Sequence, residues 1–292
     1  MPALSDLRAP AKLNLFLHVT GRRPDGYHLL QSAFVLIDWA DTLHIDTRTD
    51  GQLRRHDLGP ALPAADLCLK AARLLQQESG CALGADIHID KQVPWGAGMG
   101  GGSSDAATVL LALNQLWGLH WSGEQLEALA LRLGADVPFF IRGQHAWVEG
   151  IGEQITPITL PADTLATPLA VLKPPVAVPT VAIFNNTRLK RDTPHAIVAD
   201  FLAAPRRFGH NDLQGPATAY SDQVVQALEI MQGRFGNSRM TGSGSAVFSW
   251  VEPGFMEEHT SASDTVSSFS PTDVGLADPA WAGRLCRLLP GQ

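Results

Sequence analysis

Lys91-Gln92-Val93-Pro94-Trp95-Gly96-Ala97-Gly98-Met99-Gly100-Gly101-Gly102-Ser103-Ser104-Asp105 is the stretch on which the fold turns. An alternating run with Ile87 and Ile89 on one face leads into it. An alanine-rich run leads out, in which Ala106, Val109, Leu110, Leu113, Leu116 and Trp117 recur at spacings of three and four. A strand therefore enters the stretch and a helix leaves it. Glycines let the backbone approach a ligand closely and adopt positive φ. The first amides of the outgoing helix are donors without intrahelical partners, and the helix dipole favours an anion beside them. Ser103 and Ser104 add hydroxyls there. The stretch is predicted to cradle a phosphate. A tight loop with a serine cap is the plainer alternative, because glycine-rich loops alone are weak signals.

Two familiar phosphate motifs fit poorly. Gly96, Gly98 and Gly101 satisfy G-x-G-x-x-G. A dinucleotide fold, however, runs its strand directly into the first glycine within a βαβ unit. Here a Lys-Gln-Val-Pro-Trp spacer intervenes, and the preceding residues follow another pattern. The motif G-x-x-x-x-G-K-[ST] fails because no lysine follows the glycines.

Working outward, the N-terminal third reads mainly as strands. Leu13, Leu15, Leu17 and Val19 share one predicted face, and Lys12, Asn14, Phe16 and His18 the other. Leu43 and Ile45 alternate with polar residues. Leu67, Ala71, Leu74 and Leu75 mark a helix. Downstream of the glycine stretch, Ser122 with Gln125 three residues on predicts a capping box. Leu126, Leu129, Ala130 and Leu133 form that helix's stripe, with Gly134 as its stop. The Pro-, Thr- and Ala-rich stretch 156–168 reads as a boundary. A strand over Leu169–Leu172, a helix over Ser221–Gln232, a second glycine segment at 240–245 and a closing strand over Trp281–Leu289 follow. Strands followed by mixed helices indicate α+β architecture.

The chain has 292 residues, 45% hydrophobic and 17% charged, enough to build a substantial core. A formal net charge of -7 disfavours nucleic acid as a partner. Three widely spaced cysteines, Cys68, Cys81 and Cys286, form neither a disulfide framework nor a zinc pattern. No protein-built metal site is expected. Neither a leader nor a membrane-spanning run stands out, so a cytoplasmic protein is expected, without membrane partners.

Proline, then glycines, then Gly-Ser-Ser and an alanine-rich helix resembles the GHMP kinase superfamily. Pro10-Ala11-Lys12-Leu13-Asn14-Leu15 is similar to its N-terminal motif, and Thr241-Gly242-Ser243-Gly244-Ser245-Ala246-Val247-Phe248 to its third, whose loop packs near the phosphate loop. Within the superfamily, Gly21-Arg22-Arg23-Pro24-Asp25-Gly26-Tyr27-His28-Leu29-Leu30 with Ser32 resembles the branch acting on a cytidine diphosphate-linked methylerythritol. So do Gly134-Ala135-Asp136-Val137-Pro138-Phe139-Phe140, and Pro179-Thr180 with Ile183-Phe184. The resemblance implies two domains, 1–158 and 159–292. The first would be a ribosomal-protein-like, ATP-binding domain and the second ferredoxin-like, with the active site between them. It also implies transfer of the ATP γ-phosphate, with Mg²⁺, to a small-molecule hydroxyl by a monomer or weak homodimer.

Each site residue has a plainer reading beside the implied one. Asp136, ahead of Pro138, reads equally as a helix cap or as a base; the resemblance implies the base. Lys12 reads as an exposed strand lysine or as a cation holding that base ionised. Asn14, on the same predicted face, binds substrate or ends a buried polar network. The resemblance places Tyr27 and His28 in a cytidine pocket, by stacking and by edge recognition, with Thr180 and Phe184 holding the same nucleotide. Phe184 alone reads equally as an ordinary core aromatic. Lys91 reads as a solvated loop lysine or as a contact to ATP, and residues 94–104 as the triphosphate loop. Homoserine- or mevalonate-type kinases and a non-catalytic nucleotide-binding module are the competing functions, with a dehydrogenase as a third. Residues 254–279 depart from the superfamily: Ser, Thr and Asp stand where it has an amphipathic helix. A loop, an insertion or a locally altered reading frame would each fit.

Overall fold

The computed structural model describes residues 2–63, 66–251 and 269–290. Two long strands, β1 (Ala3–Arg22) and β2 (His28–Arg48), form an antiparallel ribbon. The turn between them carries Gly26 at φ 93°, a left-handed conformation that suits glycine. Then come β3 (Leu53–Asp57), α1 (Leu67–Ser79), β4 (Gly84–Asp90), α2 (Gly101–Leu116), α3 (Gly123–Leu131), α4 (Val137–Arg142), β5 (Ala146–Glu149) and β6 (Gln154–Pro157). The first sheet has the order β3-β4-β2-β5-β6, with β1 also on β2; its β3–β4 pair is parallel and its other pairs are antiparallel.

The remainder holds α5 (Ala162–Ala166), β7 (Leu169–Lys173), α6 (Thr180–Phe184), α7 (Val198–Ala203), α8 (Gln214–Tyr220), α9 (Asp222–Phe235), β8 (Arg239–Met240), β9 (Val247–Trp250) and β10 (Ala282–Cys286). Its sheet is antiparallel, in the order β10-β7-β9-β8. Helices and sheets are thus mixed as an α+β fold. The Ser122–Gln125 capping box opens α3 as expected, but α3 ends at Leu131, before Gly134. The atypical segment 254–279 lies partly outside the described residues; beyond 268, Pro271–Val274 forms a 3-10 turn. No described helix is long and apolar enough to cross a membrane.

Three cores fix where the site falls. Helices α1–α4 cover one face of the first sheet, through residues such as Leu75, Leu110 and Phe139. The second core joins the two sheets: Ala11, Leu13, Leu15, Phe16, Val35 and Ile37 meet Leu169, Val171, Phe248 and Trp250. Leu17 and Val19 belong to a third core with Val178, Ile183 and Leu213. Simple alternation along β1 had placed Phe16 opposite the leucines. The ladder shifts register between Asn14 and Leu17, so Phe16 turns into the core with Leu13 and Leu15 while Leu17 leaves it. Arg239 closes the junction by donating to the carbonyls of Leu15, Phe208 and Gly209. Burial lowers its guanidinium pKa to about 10.

Candidate active site

The glycine stretch is held as a rigid loop. Lys12 N–H donates to Met99 O at 2.9 Å, and Ala246 N–H donates to Ala97 O at 3.1 Å. Ala97 and Met99 bury their side chains in the core between the sheets. Gly100, in a left-handed conformation at φ 70°, is the cap of α2, whose first turn carries Ser103 and Ser104. The second glycine segment lies against the loop, backbone to backbone. A Cβ on Gly98 would stand 2.5 Å from Thr241 O, and one on Gly242 would stand 2.7 Å from Gly98 O. Neither contact tolerates a side chain.

These two segments and the β1–β2 ribbon enclose a cleft of about 650 Å³. Lys12, Asn14, Tyr27, His28, Gly96, Gly98, Gly100, Asp136, Thr180 and Phe184 line it. Pro94, Trp95, Ala97, Met99, Gly101, Gly102, Ser103 and Ser104 stand in or beside the loop but outside that lining. Ser104 Oγ is buried with no protein partner. Lys91 sits beneath the loop, where its ammonium bonds Asp41 and, at 2.6 Å, Asp105. Its nitrogen is 3.0 Å from the place of a Cβ on Gly101. Burial raises the Asp105 carboxyl to about 7. Lys91 is raised by its two carboxylates, which outweigh its own desolvation.

At the floor of the cleft, Asp136 occupies the cap position of α4, yet its side chain makes no capping hydrogen bond. The carboxylate lies 3.7 Å from Lys12 Nζ, with the lysine buried and the aspartate partly exposed. Of the two sequence readings, the geometry therefore disfavours a cap. Lys12 also donates to Asn14 Oδ1 at 2.5 Å and stands 4.6 Å from the centroid of Phe34. Burial lowers its pKa, opposed by the attraction of Asp136. Asn14 Nδ2 donates to Ser32 Oγ at 2.8 Å, and Thr241 Oγ1 accepts from Asn14 N at 2.8 Å. The shared face of Lys12 and Asn14 holds, and Asn14 lies both in the cleft and in a buried polar network.

At the other end of the cleft, Tyr27 is 60% exposed, while His28 is buried with its ring 5.0 Å from that of Phe184. An exposed aromatic beside a buried histidine and a partly buried phenylalanine makes a slot for a flat ring. Thr180 Oγ1 lies 2.8 Å from Ser243 Oγ and ties this end to the second glycine segment. Arg191 Nε donates to His28 Nε2 at 2.9 Å. Sequence reasoning missed Arg191, which stands in an irregular polar stretch without a motif. It also missed Asp41, whose role appears only when β2 and β4 come together. Among the described residues, no group of three or more His, Cys, Asp or Glu could hold a metal ion.

Comparison with known proteins bears on both family and fold. Residues 66–144 match the family described as the GHMP kinases N terminal domain. A 4-diphosphocytidyl-2-C-methyl-D-erythritol kinase of Methylibium petroleiphilum is 64% identical over 287 residues, covering 98% of this chain and 95% of the relative. The crystal structure of a 4-(cytidine 5'-diphospho)-2C-methyl-D-erythritol kinase superposes with a TM-score of 0.78 at 33% identity, covering 99% of this chain and 100% of that one. The mevalonate kinase of Methanococcus jannaschii, 12% identical, superposes with a TM-score of 0.67 over 99% of this chain and 98% of its own, a likeness of fold alone.

Proposed function

The chain belongs to the 4-diphosphocytidyl-2-C-methyl-D-erythritol kinases of the GHMP superfamily, and on that premise we propose how its own residues carry the γ-phosphoryl group of ATP to the 2-hydroxyl of that acceptor. The observation that supports the roles most strongly is the Lys12–Asp136 pair. A half-exposed carboxylate, uncommitted to its helix, faces a buried ammonium at 3.7 Å in a cleft roofed by two glycine segments.

Asp136 is the base. It accepts the hydroxyl proton as the acceptor oxygen forms its bond to the γ-phosphorus and the bond from that phosphorus to the bridging oxygen breaks, releasing ADP. The Lys12 ammonium faces the Asp136 carboxylate and steadies charge on the transferring group. Asn14 holds the Lys12 ammonium in place. Residues 94–104 hold the triphosphate through backbone amides and the Ser103 and Ser104 hydroxyls. Lys91 supports the loop from beneath, through Asp41 and Asp105.

Mg²⁺, when bound, neutralises charge on the phosphates. The Ser103 and Ser104 hydroxyls at the start of α2 would be the loop oxygens available to such an ion. Tyr27 and Phe184 flank the cytosine ring, His28 reads its edge, and Thr180 holds the same moiety. That slot favours a nucleotide-bearing acceptor over homoserine or mevalonate. Residues 1–158 and 159–292 act as the two domains. Three free thiols support a reducing compartment, the cytoplasm.

Asp136→Asn tests the assignment. It should lower kcat by about 10²–10⁴-fold while ATP affinity, followed by titration calorimetry, stays within about twofold. Turnover equal to that of the unaltered chain removes Asp136 from the mechanism.

A further inference from the structure

His28 has two ring nitrogens, and which of them carries the proton decides what its edge offers a ligand. Arg191 settles the question by chemistry. A guanidinium has donors and no acceptor, and it stays protonated. Its Nε–H reaches His28 Nε2 at 2.9 Å, so Nε2 presents a lone pair and the single proton of the neutral ring sits on Nδ1. Arg191 is itself pinned, since its other nitrogens donate to the carbonyls of Phe184, Asn186 and Leu189 at 2.9–3.0 Å. The arginine thus spans both components of the slot: the imidazole of His28 and the backbone that carries the Phe184 ring.

We propose that Arg191 is a positioning residue for acceptor recognition: it fixes His28 as the Nδ1–H tautomer, so that the ring donates to the acceptor edge of a cytosine and disfavours a uracil. Cytosine offers acceptors at N3 and O2, whereas uracil carries a proton on N3. A donor at Nδ1 therefore matches the first base and confronts the second. The inference deepens the base pocket of the preceding section and depends on it. Burial first, and then the charges of Arg191 and Arg22, lower the pKa of His28 below the ordinary histidine value. The tautomer of the neutral ring is the one Arg191 imposes.

The test combines one spectrum with three variants. In a long-range ¹H–¹⁵N spectrum of the unaltered protein at pH 7.5, His28 should show the Nδ1–H pattern. An Nε2–H pattern overturns the proposal, whether or not any variant folds. With ATP saturating, Arg191→Ala should raise KM for the cytidine diphosphate-linked acceptor about tenfold, with a much smaller change in kcat. It should erase most of the preference over the uridine counterpart.

In Arg191→Ala the freed imidazole protonates more readily, and the imidazolium regains a donor at Nδ1. Its KM, taken relative to the unaltered enzyme at each pH, should therefore be lower at pH 6 than at pH 8. Arg191→Lys keeps a donor-only cation and should restore part of the loss. An equal rise in KM for both bases, without pH dependence, is what a merely structural arginine gives, and it overturns the proposal. His28→Ala separates the two layers of inference. If it leaves KM unchanged, the base pocket itself fails, and the role of Arg191 with it. If it raises KM while Arg191→Ala does not, only the role of Arg191 fails.

Discussion

Asp136 and Lys12 show how little of a side chain's role is fixed before its surroundings are known. An aspartate two residues before a proline reads as a cap; here the cap position is filled and the capping bond is not made. Lys12 is buried, which is unusual for lysine. Burial lowers its pKa, and the Asp136 carboxylate opposes that shift. Lys12→Met retains the buried stem and removes the charge. It should lower kcat by about 10²–10³-fold while circular dichroism and unfolding midpoint change little; kcat within a factor of two would contradict the role. A third residue, His18, contributes to acid stability. His18 is pushed down to about 4, first by burial and then by His210, against the pull of Asp212. Between pH 4 and the ordinary histidine range, the unfolded chain therefore binds more protons than the folded one. The stability contribution is present above the unfolded pKa and is lost as pH falls through that window. Urea unfolding at pH 7.5 and 4.5 should show a smaller loss in His18→Gln than in the unaltered chain; an equal or larger loss would contradict the assignment.

The strand–loop–helix unit from 84 to 116 is the element whose legibility was greatest, because periodicity, glycines and serines all favoured one structure. Its partner was less legible. That residues 240–246 meet the loop was implied by resemblance, and the physical reason, glycine against carbonyl, lies in tertiary contact. A pair of substitutions separates packing from ligand binding. Gly98→Ala puts a Cβ 2.5 Å from Thr241 O at a φ of 74°, and should cost about 2 kcal/mol or more of stability. Gly102→Ala meets nothing closer than Leu67 Cδ1 at 3.9 Å. It should leave the unfolding midpoint unchanged and raise KM for ATP, because it crowds the helix start proposed to hold the triphosphate. Equal loss of stability in both variants would contradict this division. Other elements were illegible for definite reasons. The β1 bulge reverses alternation after Asn14 without a glycine or proline to signal it. Strands β5 and β6 have four residues each, too few for a period-two pattern to stand out. Helix α7 has six residues and no capping side chain.

Across the whole molecule, the cleft exists because two sheets share one core and leave their loops on the same side. Lys12 comes from β1 and Asp136 from the start of α4, while Thr180 and Phe184 come from α6 beyond the second sheet's first strand. No local pattern brings them together. The order of the three motifs made the kinase legible; the acceptor was legible only through resemblance at Tyr27, His28 and Asp136. The most direct test is a panel of acceptors given to the purified chain with ATP and Mg²⁺, with ADP release followed by a coupled assay and the product by ³¹P NMR. The account predicts turnover of 4-diphosphocytidyl-2-C-methyl-D-erythritol, a new phosphomonoester at its 2-position, and negligible rates with homoserine and mevalonate. Turnover of homoserine or mevalonate, with none of the cytidine diphosphate-linked acceptor, would contradict it.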